Sequence, residues 1–376
     1  MSLLLLSVLM AQPVVPVRPL TGPDRTLPTQ FTQIRGVVER PDGTVLVADR
    51  LAETVVIADF TTGRTRPVGR AGGGPAEYRL PAALVPAAAD SVLIVDEGNN
   101  RLALIAPDGT IRRTFAAVTP GIGVGLFPRA VDLAGRFYAV VPGWVRFGQG
   151  LERDSLPLIR YQPSARRSEL VTWIHPAPEP GDPPHRDRPR FPITVFGASD
   201  AWAAGTDGRV AVVRARDYHV EWIDASGART VGPAVAWTPL PVTREDQLDA
   251  IRTLLMNSGV GGKGSGDRPP GGLEATPADM LADKAVAETA DNTAFAKTKP
   301  AFTDAAPRIG SDGMLWVERS GRRAAPSRWD VFDRAGRLVF SVELPKGRRL
   351  GGLGRGTVYL VAVDADGNET LERYRM

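Results

Sequence analysis

"DGTVLVADRLAETVVIADFTTGR", from Asp42 to Arg64, holds two short apolar runs, each closed by Asp, with a polar turn between them and a glycine after the second. Runs of four or five residues rich in Val and Ile, bounded by Gly, Asp and Thr, read as paired antiparallel strands joined by tight turns. The pattern returns in "ADSVLIVDEGNNRLALIAPDGTI" from Ala89, where Asp96 matches Asp49 and Gly109 matches Gly63. It returns again in "GRVAVVRARDYHVEWIDASGART" from Gly208, with Arg214 at the Asp position and Gly227 closing the turn. A stretched copy, "DGMLWVERSGRRAAPSRWDVFDRAGRLVF" from Asp312, has Glu318 and Gly336 as its expected equivalents. "GRFYAVVPGWV" with "LPLIRYQPSAR" is a degenerate copy, and "GTVYLVAVDADGNETLERYR" is the last. Six copies at roughly 45–50 residues, once an insertion is set aside, predict four-stranded blades arranged radially, an all-β six-bladed propeller. A large sandwich or barrel would show strands without a fixed period.

Between the first two copies lies "GRAGGGPAEYRLP", Gly69 to Pro81. A phosphate-cradling loop needs a following helix and usually a Lys. No Lys follows here, and Pro75 and Pro81 stand where the helix would begin. "VADR", "VDEGNNRLALIAPDG" and this connector together resemble the NHL-type six-bladed β-propeller. The resemblance rests on Asp96, Asn99 or Asn100, Arg101, Glu77, Tyr78 and Pro81, with Asp49 as the blade-1 counterpart of Asp96; Ala76 stands where that family usually has Gly. The blade pattern runs from Val17 to the C-terminus, sharpest between Gly36 and Phe115. The glycines then permit positive φ where the chain crosses between blades, and the recurring acids at 49, 96 and 318 fix turns by accepting backbone N–H bonds.

A ring of blades must close. The last copy supplies three strands, so an N-terminal strand is expected to complete the last blade, with "PVVPVRP" (Pro13 to Pro19) as the candidate. Two departures interrupt the repeat. "HPAPEPGDPPHRDRPRFP", residues 175–192, reads as an exposed, polyproline-like loop. Residues 238–307 form a helical and Gly-rich insertion between blades 4 and 5. In it, Thr243 caps a helix with Leu248, Ile251, Leu254 and Leu255 on one face. A second helix is expected after a cap at Thr276.

The chain has 376 residues, with 46 Lys and Arg against 42 Asp and Glu, a net charge of +4. That small excess is spread out, and no basic stripe interleaved with aromatics points to nucleic acid. Cysteine is absent, which removes thiolate metal sites, cysteine nucleophiles and a lipoprotein anchor. Residues 1–16, opening "MSLLLLSVLMAQ", read as a signal-like apolar segment or a retained anchor, shorter than the roughly 20 residues of a spanning helix. Export to a bacterial periplasm, with peripheral membrane association, is the resulting expectation.

Reactive constellations are sparse. Gluconolactonase-like and paraoxonase-like propellers hold a divalent cation with carboxylates and Asn side chains. Here Asn99, Asn100, Asn257, Asn292 and Asn368 lie in turns or in the insertion. Peptidylglycine-lyase-like propellers use several histidines on zinc; the three here, His175, His185 and His219, are weak candidates confined to neighbouring blades. No nucleophile elbow is present. No catalytic residue, metal or cofactor is therefore expected. The sequence-level expectation is a non-enzymatic scaffold that binds protein partners, as an accessory subunit of a membrane-bound complex. Its contact residues would be Leu248, Ile251, Leu254 and Leu255 of the helix and Pro183, Pro184, Arg186 and Arg188 of the Pro-rich loop. The alternatives are a metal-dependent hydrolase or lyase working in the channel, or a propeller that binds a small ligand.

Overall fold

Each repeat folds as a hairpin pair because its turns are built into the sequence. Asp42 accepts from the amide and hydroxyl of Thr44, and Asp108 does the same for Thr110. Asp207, Asp312, Asp333 and Asp364 repeat the carboxylate-to-amide bond. The glycine after these acids takes the left-handed conformation that closes the turn: φ is +81° at Gly43 and +82° at Gly109. Strand, turn and strand are thus specified locally, and tertiary packing has only to stack them.

The computed structural model describes residues 15–117, 119, 122, 125–142, 155–177, 194–257, 283–303 and 305–376. The strands form six four-stranded antiparallel blades around an axis. Blade 1 comprises Ile34–Glu39, Val45–Asp49, Thr54–Asp59 and Arg64–Pro67, written from the inner strand outward. Blade 2 comprises Pro81–Pro86, Val92–Asp96, Arg101–Ile105 and Ile111–Ala116. Blade 3 comprises Ala130–Val131, Phe137–Val140, Leu156–Gln162 and Arg167–Ile174, and blade 4 Ala201–Ala204, Val210–Arg214, His219–Ile223 and Arg229–Val231. Blade 5 comprises Arg308–Ile309, Leu315–Arg319, Arg328–Phe332 and Leu338–Glu343. Blade 6 takes Arg348–Leu353, Thr357–Val363 and Glu369–Arg375 from the C-terminus, and its outer strand is Arg25–Phe31. The core lies between blades, in layers such as Val47, Ala58, Tyr359 and Val361 between blades 1 and 6. Burial there is the main stabilising term, at about 25 cal/mol per Å² of apolar surface.

The ring is closed by an N-terminal strand, as expected, but not by the segment expected to do it. Pro13 and Val14 lie outside the described residues. Val17–Pro19 pairs parallel with Ser341–Glu343 and adds a fifth, outermost strand to blade 5. Proline cannot donate to a ladder, so Pro16 and Pro19 suit an edge on which no other described strand pairs. Closure falls instead to Arg25–Phe31, which pairs antiparallel with Glu369–Arg375. Leu27 and Phe31 of that strand point inward, 1% and 5% exposed, while Asp24 pairs with Arg373 and Arg375.

A second correction concerns blade 5. Pairing between the second and third strands sets Asp49 opposite Thr54, Asp96 opposite Arg101 and Arg214 opposite His219. The corresponding pair in blade 5 is Arg319 with Arg328. Glu318 therefore sits one residue earlier, and a one-residue shift turns a side chain to the opposite face of its sheet.

The insertion carries α1 (Arg244–Asn257) and α2 (Asp283–Asp291). Thr243 and Asp246 form a reciprocal capping box at the start of α1: each accepts from the other's amide. Residue 276 lies outside the described residues.

Candidate functional site: an arginine-lined axial channel

The residues of the connector form a structural knot. Tyr78 is buried, its hydroxyl accepting from the Val55 amide and donating to the Val68 carbonyl. Asp96, fully buried, accepts from the Arg79 amide, the Asn99 side chain and Arg101. Arg101 donates onward to the carbonyls of Gly73, Gly74 and Glu77, which pins the loop. Glu77 accepts from the Gly74 amide and from Arg70. A Cβ on Gly69, where φ is +65°, would lie 2.6 Å from the Ala76 carbonyl oxygen. Asn100 ends a short 3-10 turn in the left-handed region, and Pro81 opens the inner strand of blade 2. In blade 1, Asp49 accepts from the amides of Thr32, Gln33 and Ala52. Every one of these partners is in the connector, a turn or a blade edge. The loop joins blades.

Of the histidines, His185 lies outside the described residues, as do Pro183, Pro184, Arg186 and Arg188. His175 and His219 belong to one network at the end of blade 4, but a guanidinium occupies its middle. Arg214 bridges Asp200 and Glu221, at 2.8 Å to each, while His175 pairs with Asp200 and His219 with Asp217. Among the described residues no group of three or more His, Cys, Asp or Glu could hold a metal ion. Burial opposes ionisation of Asp200, but the Ala215 amide, Arg214 and His175 outweigh it and hold its carboxyl low. Burial likewise opposes ionisation of Glu221, and Arg214 with His219 lowers it overall. Depressed folded pKa values contribute stability that is full above the unfolded values, near 3.8 and 4.5. It is lost as pH falls through the lowered ones. Thermal melting between pH 3 and 7 should therefore fall away only below about pH 4.5. Arg214→Met should flatten that acid limb; an unchanged acid limb in the variant would remove the network as its source.

Leu248, Ile251 and Leu255 face inward, against Val286, Ala290 and Phe295 of the same insertion. Leu254 alone of the four is exposed, at 46%. The apolar face of α1 is thus largely covered by α2.

The arrangement the sequence did not disclose lies on the axis. Arg35, Arg308 and Arg349 are on the inner strands of blades 1, 5 and 6, and Arg129 directly precedes that of blade 3. Arg308 donates to the carbonyls of Leu350 (3.2 Å) and Gly351 (2.5 Å), across to blade 6. Arg349 pairs with Glu369 at 2.7 Å and donates to the Ile34 carbonyl. The Arg129 guanidinium stands 5.0 Å from the centre of the Trp202 ring, a cation–π contact with blade 4.

These groups also act on one another electrostatically. Burial first, then repulsion by Arg349 and Arg129 against attraction by Glu318, pushes the Arg308 guanidinium down to about 10. Blades 3 and 5 are separated by blade 4, so Arg129 and Arg308 act on each other from inner positions of two non-adjacent blades. Arg35 is lowered by burial and by Arg349 and Arg50, with Glu369 and Glu97 opposing. Burial of its guanidinium alone lowers Arg129, although the residue as a whole is exposed. All stay protonated at neutral pH. Among the described residues, neither Arg129 nor Arg308 has an ion-pair partner. A guanidinium presents a planar fork that matches carboxylate or phosphate in two bonds. A channel with low-dielectric walls strengthens that attraction. Chemically, such a site can bind an anion or stabilise charge developing on an oxygen. The one local signal is a shared Pro-Arg-apolar triplet opening two inner strands, Pro128-Arg129-Ala130 and Pro307-Arg308-Ile309.

No family model and no curated protein matches the chain. The solved structures it resembles share little sequence with it. A gluconolactonase from Xanthomonas campestris is 11% identical at a TM-score of 0.45, with 93% of this chain and 88% of that one covered. The PQQ-bound aldose sugar dehydrogenase of Streptomyces coelicolor is 15% identical at 0.42, covering 94% and 97%. Virginiamycin B lyase from Staphylococcus aureus is 10% identical at 0.39, covering 93% and 86%. These neighbours are named as enzymes, and no activity passes from them to this chain. The six-bladed ring itself rests on the ladders described above.

Proposed function

We propose that this protein is a small-ligand-binding propeller that takes an anion in its axial channel. The observation that carries this reading is the pair Arg129 and Arg308, brought to one axis from blades 3 and 5 without a carboxylate partner among the described residues. Cations left this way in a protein-walled space favour a bound counter-charge. A metal-dependent hydrolase draws less support, because the carboxylates that act on these arginines are engaged already: Glu97 by Arg50, Glu369 by Arg349 and Glu318 by the hydroxyls of Thr303 and Ser327. The scaffold reading draws less as well, since the helix face on which it rests is largely covered from within. NHL-like connectivity is supported only at the connector between blades 1 and 2.

The test is thermal melting in sodium phosphate against sodium chloride at equal ionic strength. A ligand at a hundred times its Kd stabilises by about 2.7 kcal/mol, enough to raise Tm by a few degrees. Equal melting temperatures in the two salts would remove the channel as an anion site.

A further inference from the structure

The charges around the channel specify more than the sign of the ligand. Five guanidiniums are electrostatically coupled there: Arg35, Arg50, Arg129, Arg308 and Arg349. Three carboxylates answer them: Glu97, Glu318 and Glu369. The ion pairs leave part of that positive charge without a contacting carboxylate. Glu97 is taken by Arg50 at 2.9 Å and Glu369 by Arg349. Glu318 is engaged by the hydroxyls of Thr303 and Ser327, so it offsets Arg308 at a distance rather than by contact. Arg129 and Arg308 make no ion pair among the described residues, and each is held by something uncharged: a tryptophan ring for one, two backbone carbonyls for the other.

Those supports also orient the cations. Arg308 spends part of its fork on the Leu350 and Gly351 carbonyls, which fixes the guanidinium against blade 6. The Arg129 guanidinium contacts the Trp202 ring, and a ring takes up none of its N–H donors as an acceptor oxygen would. Two oriented cations, two blades apart and facing one space, suit one ligand with an anionic group at each end or a single group of charge −2. A monoanion would leave one of them uncompensated.

We infer that the channel selects a small dianion, a dicarboxylate or a phosphate monoester, clamped between Arg129 and Arg308. This rests on the anion-binding reading above and deepens it. Isothermal titration with succinate and with methyl phosphate, against acetate and chloride, separates the two claims. Dianion binding at least tenfold tighter than acetate is the expected result, and the tighter of the two dianions identifies the chemistry of the ends. Acetate binding as tightly as both dianions would overturn the clamp while leaving an anion site. No heat with any of the four would overturn both.

Two variants locate the site. Arg129→Gln removes a side chain whose one described side-chain contact is a ring, so its unliganded melting should match the parent. Arg308→Gln tests the opposite wall and gives up its carbonyl bonds, so its unliganded melting is measured alongside. Each should weaken the preferred dianion tenfold or more and leave the acetate affinity within about threefold. Unchanged dianion binding in a folded Arg129→Gln protein would refute the clamp even if Arg308→Gln proved unstable.

Discussion

A chain starting at Thr32 is expected to lose its cooperative melt, whereas one starting at Pro23 is expected to keep it. Among the described residues, the shorter truncation removes the parallel strand Val17–Pro19 at the outer edge of blade 5, where all three residues are exposed, and the half-buried Leu20 beside it. The longer one also removes Arg25–Phe31, and with it the antiparallel ladder to the C-terminal strand. Leu27 and Phe31 leave the core between blades 1 and 6, each contributing roughly 1.5–3 kcal/mol of burial. Asp24 goes as well, leaving Arg373 and Arg375 without their carboxylate. The combined loss is a large part of the roughly 5–15 kcal/mol that holds a domain folded. Blade 6 would also present an unpaired edge from Glu369 to Arg375, a template for association. Calorimetry with size-exclusion chromatography checks this: a monomeric Thr32 chain melting within a few degrees of the parent would show that Arg25–Phe31 does not close the ring.

That contrast shows which parts of the fold a sequence exposes. Blade number and insertion position were legible because Asp-Gly and Asp-x-x-Gly turns and β-branched runs are local signals that recur along the chain. The closing strand was not. "RTLPTQF" has only Leu27 and Phe31 to bury, and Pro28 interrupts it, so no local pattern marks it as a strand. Partner choice there is a matter of which edge is open, which only the closed ring defines. Glu318 was misplaced for a related reason. The stretched hairpin of blade 5 drew attention to the acid, whereas counting from Asp312-Gly313 sets Arg319 opposite Arg328.

The channel was less legible still. Arg35, Arg129, Arg308 and Arg349 lie far apart in a chain already rich in arginine, and no periodicity links them. They become a site through topology alone, since each inner strand delivers its residues to the same axis. The connector residues were the reverse case. Glu77, Tyr78, Asp96, Asn99 and Arg101 form a local pattern, and the structure brings them into one hydrogen-bonded knot.

Between blades 4 and 5, Asp330→Ala is expected to lower stability by about 3–5 kcal/mol, the range for removing one partner of a buried ion pair. Asp330 is fully buried and serves several partners at once. The Tyr218 hydroxyl donates to it at 2.7 Å and that of Ser341 at 2.6 Å, while Arg319 lies 2.9 Å away. Alanine strands all of these. Arg319 is the least affected, because its side chain is 23% exposed and its charge can reach water. Tyr218 has no such escape. Its ring is packed against Phe302 and Phe332, and burial together with the Asp330 charge drives its phenol well above the usual tyrosine range. A buried hydroxyl left without its acceptor costs about 1–3 kcal/mol. Tyr218→Phe removes that hydroxyl, so it should be mildly destabilising alone yet partly rescue Asp330→Ala. Urea denaturation of the two single variants and the double gives the coupling. A double variant less destabilised than the sum of the singles by 1 kcal/mol or more is expected. Strict additivity would mean that the phenol does not depend on Asp330, and that the joint between these blades is held by its apolar layer alone.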